Sequence, residues 1–149
     1  MLTWTKPLAA ALLVAALVVG GARADDTPAA LPGAKMVGAE EVAKAQAGGA
    51  VVIDTRVASE FAEGHIKGAL SVPYREKSQK SASFDASQDD FNLAKLPADK
   101  AAAVVLYCNG PECWKSFKAS SAAIKGGYTN VLWYRLGFPD WKAKGHSVE

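Results

Sequence analysis

The chain has 149 residues, half of them apolar, with 17 basic residues against 15 acidic ones. That apolar share supports a packed core in one domain, and so small a charge excess points to neither nucleic acid nor an anionic membrane surface as partner. His65 and His146 are far from each other and from both cysteines, which leaves no metal-ligand spacing, so no metal or other cofactor is expected.

Residues 1–24 read as an export signal. Lys6 supplies a positive start, Pro7 to Val19 is an apolar run, and Ala22-Arg23-Ala24 fits the small-x-small cleavage pattern. The run is shorter than the roughly 20 apolar residues of a membrane span. Cleavage is therefore expected after Ala24, with the mature chain in the periplasm and no stable membrane anchor left. The removed segment holds Lys6 and Arg23 and no acid, so the mature chain carries no net charge.

Residues 25–36, rich in Ala, Pro and Gly, read as a flexible arm before a single domain over 37–149. Glu40 to Ala47 is expected as an amphipathic helix stopped by Gly48-Gly49. Val51-Val52-Ile53 follows as a buried strand ending at Asp54. Ser59 is the expected N-cap of a helical turn through Glu63, with Gly64 as its stop. Ala69 to Val72 reads as a strand closed by Pro73. Arg75 to Asp90 is a polar surface stretch with Phe84 as its apolar anchor, or a short helix near Gln88 to Leu93. Val104 to Tyr107 is a buried strand, Ser116 to Lys125 a helix capped by Gly126-Gly127, and Val131 to Tyr134 another strand. Gly137 to Asp140 reads as a turn, with a last helix starting at Trp141. Apolar strands alternating with helices imply an α/β domain with a mainly parallel central sheet covered by helices on both faces.

Chemistry concentrates after the Val104 strand. Asn109-Gly110-Pro111 breaks that strand, so Cys108 sits at its carboxyl end, where such sheets place their sites. A loop ahead of a helix N-terminus supplies inward backbone N–H groups and partial positive charge. Both favour a thiolate and can hold an anion, which is the setting of a cysteine nucleophile. The loop Asn109, Gly110, Pro111, Glu112, Cys113, Trp114, Lys115 and Ser116 is then the candidate anion-binding and substrate-binding segment. A structural disulfide between Cys108 and Cys113 is the plain alternative, but it closes a very small loop, where the entropic gain is least. Cys113 reads as a resolving thiol, a small loop residue, or half of a resting disulfide. Trp114 reads as a loop anchor or a pocket lip, and Lys115 as an anion ligand or a solvated lysine. Asp54, Arg56 and Glu60 suit a charged network that holds the loops near the site, with Arg56 facing substrate as the alternative.

The segment Asp54-Thr55-Arg56, then Glu60-Phe61, then Gly64-His65-Ile66-Lys67-Gly68-Ala69, then Pro73 resembles the first signature of the rhodanese family. The strand ending in Cys108, with its loop, helix and later Gly127-Tyr128-x-x-Val131, is similar to the second landmark. The resemblance spans about residues 37–145. It implies the rhodanese fold, a Cys108 that carries sulfane sulfur as a persulfide, and a structural part for His65 in fixing its turn. It also implies a sulfurtransferase whose partners are a small sulfur donor such as thiosulfate and a thiophilic acceptor. Three features depart from the family pattern. The loop is about two residues longer by the Ser116 and Gly127 landmarks, it carries Cys113-Trp114, and Leu136-Gly137 stands where the family has Gly-Gly. The Cys-Trp-x-Ser step is similar to exported rhodanese-like proteins associated with quinoprotein alcohol oxidation, which makes a periplasmic oxidoreductase a candidate partner.

Two other uses of the fold follow from the same residues. One is a thiol–disulfide module that works through the Cys108/Cys113 pair, and the other is a binding module without turnover. A cysteine phosphatase is disfavoured, because no arginine between Cys108 and Ser116 can clamp an oxyanion.

Overall fold

Four consecutive residues shut off from water, Val104 to Tyr107, set the centre of the molecule. The computed structural model describes residues 25–149, and the export signal expected over residues 1–24 lies outside the described residues. Strands β1 (Ala34–Met36), β2 (Val51–Asp54), β3 (Leu70–Ser71), β4 (Val104–Tyr107) and β5 (Val131–Tyr134) form one sheet in the order β1-β5-β4-β2-β3. Every neighbouring pair is parallel. Helices α1 (Ala39–Ala47), α2 (Ala58–Glu63), α3 (Trp114–Lys125) and α4 (Gly137–Ala143) complete the domain.

The alternation of side chains along β4 explains its two-sided burial. Val105 and Tyr107 join Val52 and Tyr134 on one face, packed with Val42 of α1 and with Phe138 and Trp141 of α4. Val104 and Leu106 join Ile53 and Val131 on the other, against Ala119 and Ala123 of α3. Each aliphatic side chain so buried contributes roughly 1.5–3 kcal/mol. The mainly parallel sheet with helices on both faces is the architecture the sequence implied.

The residues expected to form a loose arm are packed instead. Met36, Lys35 and Ala34 pair with β5, and Thr27 is buried. These residues have no strand-like composition; backbone pairing to an open sheet edge recruits them. Helix α2 begins at Ala58 behind an extended Val57, so Ser59 lies inside it and is not its cap. Helix α4 begins at Gly137 where the sequence suggested a turn, because Pro139 falls in its first turn, where no donated N–H is needed.

The polar stretch after β3 has 3₁₀ turns at Ala86–Gln88 and Leu93–Lys95. Asp89 organises it, accepting from Tyr74 OH (2.6 Å), Ser78 Oγ (2.5 Å) and the Lys77 and Ser78 amides (both 2.7 Å). Burial alone would raise its pKa, but the hydrogen bonds from Ser78, Tyr74 and Lys77 hold it well below the usual carboxylate range. A depressed pKa means the anchor is fully present above the unfolded value near ~3.9 and is lost only as pH falls toward the folded one. The Lys77 and Ser78 amides are therefore expected to stay protected from hydrogen exchange at mildly acidic pH. Asp89→Asn is expected to expose them while β4 stays protected; equal protection in both proteins would refute this.

Candidate active site

Strand register brings the first two chemical groups together. Asp54 of β2 pairs with Tyr107 of β4, so Asp54 and Cys108 lie at the carboxyl ends of adjacent central strands. Asp54 is fully buried and Arg56 is 4% exposed. The Arg56 amide and Nε donate to Asp54 Oδ1 at 2.9 and 3.0 Å, and Nη2 donates to Oδ2 at 2.6 Å. Tyr107 OH donates to Asp54 Oδ2 at 2.6 Å and accepts from the Ile66 amide. Burial would lower the Arg56 pKa, but hydrogen bonding to Asp54 and its charge outweigh that and raise it above the ordinary value. Burial, then the charge of Asp54, push the Tyr107 phenol far upward, so it remains a neutral donor.

From this buried pair the network reaches the loop. Arg56 Nη2 donates to Gly64 O at 2.7 Å, and Nη1 reaches Asn109 Oδ1 at 3.4 Å. The Asn109 amide in turn donates to the Glu60 carboxylate. The Arg56 guanidinium also lies 4.5 Å from the Phe138 ring centroid. Asp54, Arg56, Glu60 and Asn109 thus form one chain of hydrogen bonds. Arg56 also lines an open cleft of about 300 Å³ with Glu60, Asn109, Phe138 and Lys142. His65 bonds elsewhere: Nδ1 donates to Phe61 O at 2.9 Å, the ring stacks on Phe61, and Nε2 lies 3.4 Å from Glu149. The His65 backbone also exchanges two hydrogen bonds with Glu149.

Cys108 is 1% exposed and is bonded to Cys113 across a Cα–Cα distance of 6.2 Å. The loop between them turns tightly, with the Cys113 amide donating to Gly110 O at 3.0 Å. Gly110 has φ +128°, a backbone conformation that suits glycine. The Pro111 carbonyl accepts both the Thr27 amide and Thr27 Oγ1, each at 2.8 Å. Arg135 holds Thr27 through Oγ1 at 3.1 Å and O at 2.7 Å. Trp114 Nε1 donates to Asp25 O at 3.0 Å. The arm therefore grips the loop from outside.

Three residues assigned to the loop belong to α3. Trp114, Lys115 and Ser116 form its first turn, with Cys113 at the N-cap. Trp114 is buried, and edge-on packing on Phe117 fixes it as an anchor. Ser116 is buried and accepts from Trp133 Nε1 at 3.0 Å, so its hydroxyl serves the core. Lys115 and Glu112 line a cleft of about 290 Å³ with Cys113, Glu76 and Lys80. Cys113 is half-buried at that cleft.

Two further supports leave little mark in the sequence. Gly137, with φ +67°, lies directly against the Cys108 backbone. Its neighbour's amide, Phe138 N–H, donates to the Cys108 carbonyl at 2.9 Å. Lys118 of α3 is fully buried and pairs with Glu76 at 2.8 Å, while its ammonium donates to Ser78 Oγ at 2.8 Å and Gln79 O at 2.9 Å. The signal for Gly137 was the retained second glycine of a departing Gly-Gly pair. Nothing in the helical spacing marked Lys118 as buried.

A family model described as Rhodanese-like domain matches residues 38–144. No curated protein sequence matches the chain. Among solved structures, the BH2092 protein of Bacillus halodurans is similar at 22% identity with a TM-score of 0.58, over 78% of this chain and 77% of that one. A rhodanese-related protein of Thermoplasma volcanium matches at 17% identity and 0.56, over 77% of this chain and 97% of that one. A thiosulfate sulfurtransferase of Pseudomonas aeruginosa matches at 24% identity and 0.56, over 78% of this chain but 20% of that one. These likenesses show a shared fold.

Proposed function

Because this chain belongs to the rhodanese-like domain family, we propose that it is a periplasmic sulfurtransferase carrying sulfane sulfur as a persulfide on Cys108. The observation that carries the reading is the position of Cys108. It closes the central strand, its carbonyl is fixed by Phe138, and its loop runs straight into the N-terminus of α3. The helix end favours an anion there. Asp54 and Arg56 hold the neighbouring strand end without presenting a general base, and none is needed once the thiolate is formed.

In the reduced protein the Cys108 thiolate attacks the outer sulfur of a donor such as thiosulfate. A Cys108 S–S bond forms, the donor's S–S bond breaks, and sulfite leaves with the electron pair. A thiophilic acceptor then attacks the outer sulfur, and Cys108 leaves as the thiolate. The disulfide is opened by a dithiol before the first step. Export and the periplasm rest on the character of residues 1–24 and on the oxidisable cysteine pair.

The disulfide itself favours a second reading, a thiol–disulfide redox module on the same fold. Intact mass separates the two. Reduced, desalted protein is mixed with thiosulfate in the Cys108→Ser and Cys113→Ser forms; serine is also a good helix N-cap at position 113. Cys113→Ser is expected to gain one sulfur and Cys108→Ser none. No gain in Cys113→Ser, with ready disulfide formation in the unmodified chain, would replace the sulfurtransferase by the redox module.

A further inference from the structure

We propose that the cysteine pair makes this domain a persulfide reductase, in which Cys113 expels the outer sulfur of a Cys108 persulfide as hydrosulfide. The inference rests on Cys108 as the sulfur carrier and adds a second reaction to it. Cys113 Sγ lies within bonding reach of Cys108 Sγ because the chain between them is folded back on itself. The Gly110–Cys113 turn makes the reversal, Thr27, itself held by Arg135, donates to its Pro111 carbonyl, and buried Trp114 fixes the start of α3 just beyond Cys113. The loop therefore brings the second thiol to the first as part of its built shape.

The Cys113 thiolate attacks Cys108 Sγ, the inner sulfur of the persulfide. A Cys108–Cys113 bond forms and the bond to the outer sulfur breaks. The outer sulfur leaves with the electron pair and takes a proton from water as hydrosulfide. The sulfane sulfur is reduced by two electrons, and the two cysteine sulfurs are oxidised to the disulfide present in the structure. An external dithiol restores the pair and becomes a disulfide itself. It attacks Cys113, because Cys108 is 1% exposed while Cys113 lines the cleft beside Lys115 and Glu76. Cys108 leaves as the thiolate, the form that the α3 N-terminus favours and the next donor requires.

The test uses the reduced, desalted protein with one equivalent of thiosulfate and no added thiol. The unmodified chain is expected to release about one sulfide per chain and end two hydrogens lighter than its reduced form. Cys113→Ser is expected to keep its sulfur, releasing sulfide about 100-fold more slowly, since it lacks the intramolecular thiolate. With cyanide present, Cys113→Ser is expected to give more thiocyanate per thiosulfate than the unmodified chain. If the unmodified chain holds its sulfur as long as Cys113→Ser does, the reductase step is overturned and the carrier stands. If Cys113→Ser gains no sulfur at all, the carrier falls and the reductase step with it.

Discussion

Asp54→Asn is expected to destabilise the domain by about 3–5 kcal/mol, the usual effect of removing one partner from a buried ion pair. The amide that replaces the carboxylate turns donors toward the Arg56 guanidinium, which stays charged and is 4% exposed. Tyr107 OH, pointed at the same oxygen, loses its charged acceptor as well. Most domains are stable by only ~5–15 kcal/mol, so a large share of the folded margin disappears with one atom exchanged. Removing both charges in Asp54→Asn/Arg56→Met is expected to cost less than the two single changes added together, because no buried charge is then left unpaired. Urea unfolding midpoints of the three variants check this. A single variant within about 1 kcal/mol of the unmodified protein would show that the pair is not what holds the strand end.

Gly137→Ala is expected to slow sulfur loading by about 100-fold while the domain still folds cooperatively, since displacing a reacting group by about 1 Å costs that much. A methyl group at position 137 overlaps the Cys108 carbonyl and lies 3.0 Å from the Gly110 amide nitrogen. Its φ of +67° adds roughly 1–2 kcal/mol of strain for any side chain. The backbone around Cys108 must therefore move, and the Phe138 amide that fixes it moves too. Gly49→Ala is the control. Its φ is +98°, but nothing lies within 4 Å of the added methyl, so it is expected to lose stability and keep its loading rate. Loading of Gly137→Ala at the unmodified rate would remove this contact from the account of the site.

What could be read from the sequence follows the range of the forces involved. The buried run of β4 and the charged residues at the end of β2 announce themselves locally, because a charge beside a buried strand must find a partner nearby. Asp54 and Arg56 do so two residues apart. The grip on the loop was not legible, because its partners are remote: Thr27 meets Pro111 84 residues away, and Lys118 meets Ser78 across 40. Helix α3 starts two residues before the Ser116 that the pattern suggests, because Trp114 and Lys115 look like loop residues until Trp114 is seen buried against Phe117. The small size of the loop is a poor guide to whether Cys113 pairs with Cys108. Loop size concerns the entropy of the unfolded chain, whereas the pairing is decided by a turn that brings the two Cα atoms within 6.2 Å.

The ties at Thr27 and Glu149 also bear on how this domain could be rebuilt. The segment at Thr27 is fastened to the cysteine loop, and Glu149 is zipped to the His65 turn, with its side chain on the Gly68 amide. Cargo grafted close to either tie would pull on the cysteine loop or on the turn beside Arg56. The exposed tip at Ala82-Ser83 is bonded chiefly to its own neighbours, with the Ser83 amide on Ser81 Oγ. A reporter module inserted there would ride on the domain while leaving both fastenings closed.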